Sequence, residues 1–194
     1  MAQSDKRRSI LNAAIGVFAR NGFYNSKVAD IAREAGVADG TIYLYFKNKE
    51  DLLIQVFLDT MDTVLEAQEA ALQGLTDPVE RLRSIVRVHF SVVESQPALA
   101  EVITVELRQS SRFMRSTDLK PFGRYLALMA RTIDQGKQAG AFAPEVEPRR
   151  AARALFGVMD ELALEWAMSP DRYGIGEACD LIINLFLNGL RARS

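Results

Sequence analysis

The sequence predicts an all-α chain of about nine helices, on three observations. No segment keeps the period-two alternation of apolar and polar residues that a half-buried strand needs. Apolar residues recur three and four apart along most of the 194 positions, which is the spacing of one helix face. Start and stop signals, with proline at first helical positions and glycine just past the ends, punctuate the same segments.

The first helix is expected over 5–21, with Ile10, Ala14, Val17 and Phe18 on one face and Asn21-Gly22 as its stop. Lys6-Arg7-Arg8 ahead of "SILNAAIGVFA" has the outline of a secretory leader. Helical spacing, the interrupting Asn12 and the lack of a small-residue cleavage site favour the first helix of the fold. Short helices follow at 27–35, ended by Gly36, and at 38–44. A long helix begins near Asn48, with Asp51 three residues on as in a capping box. Its stripe is Leu52, Leu53, Val56, Phe57, Met61, Val64 and Leu65, and Gly74 ends it. Asp77-Pro78-Val79-Glu80 supplies a cap, a proline and an acid for the next helix. Leu82, Val86, His89, Phe90 and Val93 line that helix, and Gln96-Pro97 stops it. Helices at 98–108, 119–139, 148–168 and 177–190 complete the set. A change of composition near residue 48 divides the chain into 1–47 and 48–194. No flexible linker intervenes, so the long helix joins the two parts.

Charge is distributed unevenly. The whole chain carries a net −1, yet residues 1–50 hold eight Lys+Arg against five Asp+Glu, and the rest sixteen against twenty. A basic front on an acidic body needs an explanation. One cysteine, Cys179, excludes an internal disulfide framework and suits a reducing cytoplasm. No apolar run reaches membrane-spanning length, so no membrane partner is expected.

The front supplies the explanation. "VADIAREAG" and "ADGTIYLYF" read as two short helices joined by a glycine-containing turn, a helix-turn-helix signature. Val37 and Ile42 plug the space between them, and Gly40 and Thr41 leave room for close approach. Tyr43 and Tyr45 stand two apart, so they cannot share the face of a core. With Ile42 and Phe46 inward, the two phenols are directed outward, where they can donate to DNA phosphates. Lys47 and Lys49 follow at a helix start that also favours phosphate. The plainer alternative makes the tyrosines interfacial and the lysines a solvated face.

The stretch "RRSILNAAIGVFARNGFYNSKVADIAREAGVADGTIYLYFKNKEDLL" resembles the TetR family of bacterial transcriptional repressors. Tyr45 stands where many members have histidine, and Ser26-Lys27 where a threonine is common nearby. The resemblance implies a three-helix helix-turn-helix DNA-binding domain followed by a C-terminal helical ligand-binding and dimerisation domain. It implies DNA contacts from Ser26, Lys27, Gly40, Thr41, Tyr43, Tyr45, Lys47 and Lys49, and double-stranded operator DNA as partner. It also implies a homodimer paired through the last two helices. Leu155, Val158, Met159, Leu162 and Trp166 stripe one of these, and Cys179, Ile182, Ile183, Phe186 and Leu190 the other. Such stripes suit either a four-helix seam or a plain core.

A small-molecule effector would lie in the second part. Phe57, Met61, Val86, His89, Phe90, Val93, Tyr125, Leu126, Met129 and Phe156 are candidate walls, a pattern that core packing also produces. "VELRQSSRFMRSTDLKPFGR" gathers Arg108, Gln109, Arg112, Arg115, Lys120 and Arg124, which suit an anionic head group or a solvated loop. "GVADGTIYLYFKNKED" with "ELRQS" is similar to the fatty-acid-degradation regulators (the FadR group) within the family. That resemblance implies long-chain acyl-CoA as effector, its chain among the apolar residues and its phosphates near the arginines. His89 reads as a hydrogen-bonded core residue, one Cys and one His without ligand spacing make no metal site, and Gly174-Ile175-Gly176 lacks the strand a nucleotide motif needs. The expectation is a non-enzymatic, cofactor-free repressor. The alternatives are a different apolar drug or metabolite as effector, and a helical enzyme or adaptor without DNA binding.

Overall fold

The computed structural model describes residues 3–110, 120–169 and 173–190. Among them are nine α-helices: α1 (Gln3–Asn25), α2 (Val28–Ala35), α3 (Asp39–Ile42), α4 (Lys49–Leu72), α5 (Pro78–Ser95), α6 (Pro97–Glu101), α7 (Lys120–Gln138), α8 (Pro148–Met168) and α9 (Ile175–Leu190). The structure differs from the sequence expectation in three places. α1 runs on to Asn25, past Gly22, which bends it at φ 72° and ψ 158°, a conformation only glycine adopts readily. α3 is shorter than 38–44. The 98–108 segment is α-helical only to Glu101 and continues as a π turn, Val102–Glu106, and a 3₁₀ turn, Leu107–Gln109.

Backbone contacts gather the chain into two compact units. The first comprises Met1–Thr60 and Gln96–Asp118; the second comprises Met61–Ser95 and Leu119–Ser194. α4 contributes residues to both.

In the first unit, α1, α2 and α3 close around Ile10, Phe18, Ile31 and Ile42, all buried. The helix starts and ends follow side-chain chemistry. Asn48 Oδ1 accepts from Asp51 N at 2.8 Å, while Asp51 Oδ2 accepts from Lys47 N at 2.9 Å, the reciprocal arrangement of a capping box shifted by one residue. Gly36 ends α2 at φ 68°, in the left-handed cap position. Arg7 bonds Asp59 and Gln55 at 3.0 Å each and lies over the Phe46 ring, tying α1 to the first half of α4. The bend at Gly22 leaves the Phe23 N–H without its helical acceptor, and the buried Glu106 carboxylate takes it at 2.5 Å.

In the second unit, Leu82, Ile85, Val86 and Phe90 of α5 pack with Tyr125, Met129 and Ile133 of α7, Leu155 and Met159 of α8, and Ile182 and Ile183 of α9 in one buried core. Arg81 donates to the carbonyls of Leu72 and Leu75, closing the turn between α4 and α5. The Phe142 ring, itself buried, occupies the space that a side chain at Gly136 would need. Replacing that hydrogen by a methyl group forces the ring out of place, so Gly136→Ala is expected to destabilise the chain by about 1–3 kcal/mol, read as a lowered Tm.

Glu147 caps α8, accepting from Arg149 N at 3.1 Å and Arg150 N at 2.8 Å, with Pro148 at the first helical position. These backbone bonds hold its carboxyl below the usual range, with the Arg150 and Arg149 charges assisting. A depressed folded value means the cap stabilises above the unfolded-state pKa and is lost as pH falls through the folded one. Glu147→Gln is therefore expected to lower Tm at neutral pH, and the gap from wild type to close as pH falls through the carboxylate range.

Candidate functional site

The DNA-facing candidates occupy the surface around α3. Ile42 and Phe46 are buried and Tyr43 is 57% exposed, so the division between inward and outward residues follows the i, i+4 rule. Tyr45 is half-buried, its ring tilted against that of Phe46. Lys27, at the N-cap of α2 with no cap bond of its own, and Lys47 are exposed. Gly40 is exposed, and a Cβ there would meet nothing within 4 Å. Nothing inside the fold demands a glycine at that position, whereas a close-approaching duplex would. Thr41, beside it, is half-buried. Leu44 is 81% exposed; sequence reading passed over it, although the same i, i+4 logic that sends Tyr43 outward applies to it. An exposed leucine between two phenols suits apolar contact with thymine methyl groups or sugars.

Two residues expected on this surface hold the fold together instead. Ser26 is buried, and its hydroxyl lies 2.6 Å from Gly22 O and 3.2 Å from Val17 O. Lys49 Nζ donates to Phe23 O at 2.6 Å, Ser26 O at 2.9 Å and Tyr24 O at 3.0 Å, and stands over the Phe23 ring. An ammonium has three protons, and all three are engaged at the carbonyl-rich end of α1, where a cation is favoured. Burial lowers its pKa. Lys49 is thus a staple between α1 and α4 within the first unit. Lys49→Met is expected to lower Tm by about 5 °C and to weaken DNA binding only as far as the first unit loosens. Lys47→Ala is expected to weaken DNA binding with Tm unchanged.

On the effector side, Phe57 is buried in the first unit, and Met61, Val86, Phe90, Val93, Tyr125 and Met129 in the second. Leu126 and Phe156 are half-buried. His89 Nδ1 is 3.1 Å from Tyr125 Oη, and its ring meets those of Phe90, Tyr125 and Phe156. Burial holds the imidazole neutral, its pKa lowered to about 4, and pushes the Tyr125 phenol up, partly offset by a bond from Gln68. Arg108 is exposed on the first unit. Arg124 and Lys120 are exposed on the second, Arg124 3.4 Å from Asp62. The Gln109 side chain, Arg112 and Arg115 lie outside the described residues. A further basic feature was not anticipated. Arg131, Arg149, Arg150 and Arg153 rim a groove of about 770 Å³ between α7 and α8, floored by Leu126, Ala127, Ala130 and Ala154. Three of these arginines fall in the first turns of α8, where local reading sees only a solvated face.

The expected dimer residues separate into two sets. Leu155, Met159, Trp166 and Ile182 are buried within one chain; they belong to its own core and are not free to meet a partner. Leu162 and Phe186 remain half-buried, and Leu181 and Leu185 are 51% and 59% exposed, one turn apart on α9. The outward side of α9 therefore carries leucines that the sequence reading did not select. A Leu181→Glu, Leu185→Glu double variant is expected to sediment as a folded monomer, while Leu155→Ala lowers Tm by several degrees through a core cavity.

Comparisons agree with this geometry. Residues 10–56 match the family model described as bacterial regulatory proteins, tetR family, and residues 57–189 the model described as YsiA-like protein, C-terminal region. The chain belongs to the TetR family: it is a DNA-binding transcription regulator and not an enzyme. Regulators of this kind pair into dimers, bind operator DNA and answer to small effectors. The chain is 35% identical over 185 residues to the fatty acid metabolism regulator protein of Bacillus subtilis, covering 95% of each. Its fold is similar to that of FadR from Bacillus subtilis in complex with stearoyl-CoA, with a TM-score of 0.87 and 35% identity, covering 95% of this chain and 99% of that one. It is likewise similar to the fatty acid degradation regulator FadR from Bacillus halodurans, at TM-score 0.84 and 36% identity over 95% and 99%. No helix among the described residues is long and apolar enough to cross a membrane.

Proposed function

We propose that this chain is a cytoplasmic repressor of fatty-acid degradation genes that leaves its operator, as a dimer, when it binds a long-chain acyl-CoA. The observation that carries the reading is the 35% identity to a fatty acid metabolism regulator across 95% of both chains. Operator binding is assigned to residues 1–47, and effector binding and pairing to 48–194. Within the first part, Lys27, Gly40, Thr41, Tyr43, Tyr45 and Lys47 are the contacts; Tyr43 and Lys47 address phosphates and fix register. Two copies of α3 in successive major grooves require half-sites about 34–36 Å apart or a multiple of it.

The acyl chain is assigned to the apolar interior that includes Met61, Phe90, Val93, Met129 and Phe156. The phosphates of the head group require arginines; the sequence offers Arg108, Arg112 and Arg124, and the α7–α8 groove offers Arg149 and Arg153. An effector shifts the operator equilibrium only by its differential affinity for the two states of the protein. α4 contributes residues to both units and is the element through which that difference would act.

The test is fluorescence anisotropy of a labelled duplex from the chain's own promoter region. Affinity is expected to fall roughly a hundredfold between about 50 and 200 mM salt, and palmitoyl- or stearoyl-CoA to release the duplex where acetyl-CoA does not. Release that disappears in Arg149→Ala, Arg153→Ala but survives in Arg108→Ala, Arg124→Ala assigns the head group to the groove. Release by none of the acyl-CoAs would leave a different apolar drug or metabolite as effector. Failure to bind any duplex overturns the repressor reading.

A further inference from the structure

Polar atoms are left over in the apolar interior of the second unit. Gln68, Tyr125 and Thr132 are fully buried. The His89 ring keeps some surface, but its Nε2 atom is shut off from solvent. Gln68 Nε2 donates to Ile85 O at 3.0 Å; a carbonyl only accepts, so this bond fixes which end of the amide is nitrogen. Gln68 Oε1 has no partner, and the amide lies near enough to the Tyr125 phenol to offset part of its rise in pKa. The buried phenol proton needs an acceptor, and His89 Nδ1, 3.1 Å away, is within reach of it. Neutral imidazole then carries its hydrogen on Nε2. This relay of Gln68, Tyr125 and His89 accordingly leaves an unused donor, His89 Nε2–H, and an unused acceptor, Gln68 Oε1. Buried polar atoms without partners are rare and costly, and two in one cluster call for a ligand that completes them.

We infer that His89 and Gln68 bind a secondary amide of the effector, His89 Nε2–H donating to its carbonyl oxygen and Gln68 Oε1 accepting from its N–H. Of the groups along an acyl-CoA, the pantetheine arm carries such amides; a free fatty acid carries none. The relay therefore selects an acyl chain attached to an amide-bearing thioester carrier over the bare acid, independently of the phosphates. Phe90 and Phe156, in contact with the imidazole, keep water away and strengthen both bonds. The site rests on the acyl-CoA reading and specifies which part of that molecule the interior recognises.

The probes are palmitoyl-N-acetylcysteamine, which has the thioester and one amide but no phosphate, and ethyl palmitate, which has neither amide nor thioester. Wild type is expected to bind the first about tenfold more tightly than the second, and Gln68→Met to lose that preference. The variant His89→Phe, Tyr125→Phe, Gln68→Leu removes the whole relay; it is expected to lose the preference with its ligand-free Tm unchanged or raised, since replacing both partners of a buried bond by similar apolar shapes is close to neutral. Retention of the tenfold preference in Gln68→Met overturns the inference, as does a triple variant with lowered Tm and intact preference, which would mean that enclosed water satisfies the relay. If wild type binds neither palmitoyl-CoA nor either probe, the acyl-CoA reading itself fails; if it binds palmitoyl-CoA but does not distinguish the two probes, only the relay does.

Discussion

The first unit depends on how the end of α1 is held. The bend at Gly22 breaks the helical ladder, and a broken ladder in a buried place has to be completed from elsewhere. A cation and an anion complete it: Lys49 takes three carbonyls after the bend, and Glu106 takes the Phe23 amide. Ser26 binds the Gly22 carbonyl from the inside. α2 begins at Val28, two residues after the last carbonyl these groups hold, and α3 follows it. Their arrangement explains why a short α3 of four residues presents a defined surface although an isolated helix of that length has no stability of its own.

Segment 96–110 is the other half of that arrangement. It follows α5, far along the chain from the DNA-facing helices, but it lies in the same compact unit. Glu106 reaches α1, and Ser110 Oγ lies 2.7 Å from Glu50 Oε1 at the start of α4. The π turn over Val102–Glu106 adds a residue to the helical turn and lies where Glu106 emerges toward Phe23. Arg108 stands between the two contacts in sequence, so a ligand that moved it would act on a segment already bonded to the DNA-facing unit.

What local spacing encodes was legible in the sequence. The proline at 148 and the 3.6-residue stripe beyond it give α8 to the residue, and Ile42 with Phe46 predicts the outward phenol at Tyr43. What depends on distant partners was not legible. Lys49 reads as a phosphate contact because its neighbours are Lys47 and the start of α4; the carbonyls that engage it are twenty-three to twenty-six positions away, and Glu106 meets Phe23 across eighty-three. The α8 and α9 stripes were correctly apolar, but a stripe does not state its width. Its centre at Leu155, Met159 and Ile182 is covered by the chain itself, while its margin at Leu162 and Phe186 is half-open, with Leu181 and Leu185 exposed beside it. The groove arginines were invisible for the same reason, since a groove needs two helices and each was read alone.

The central claim is that the DNA-facing unit is ordered by its own charged side chains, Lys49 and Glu106, before it meets DNA. Amide hydrogen exchange at Phe23, measured in the free protein, tests it most directly. The account predicts slow exchange, comparable with the α1 core amides around Val17 and unchanged by adding a duplex. Exchange at the rate of an open turn, slowing only when DNA is added, would contradict it.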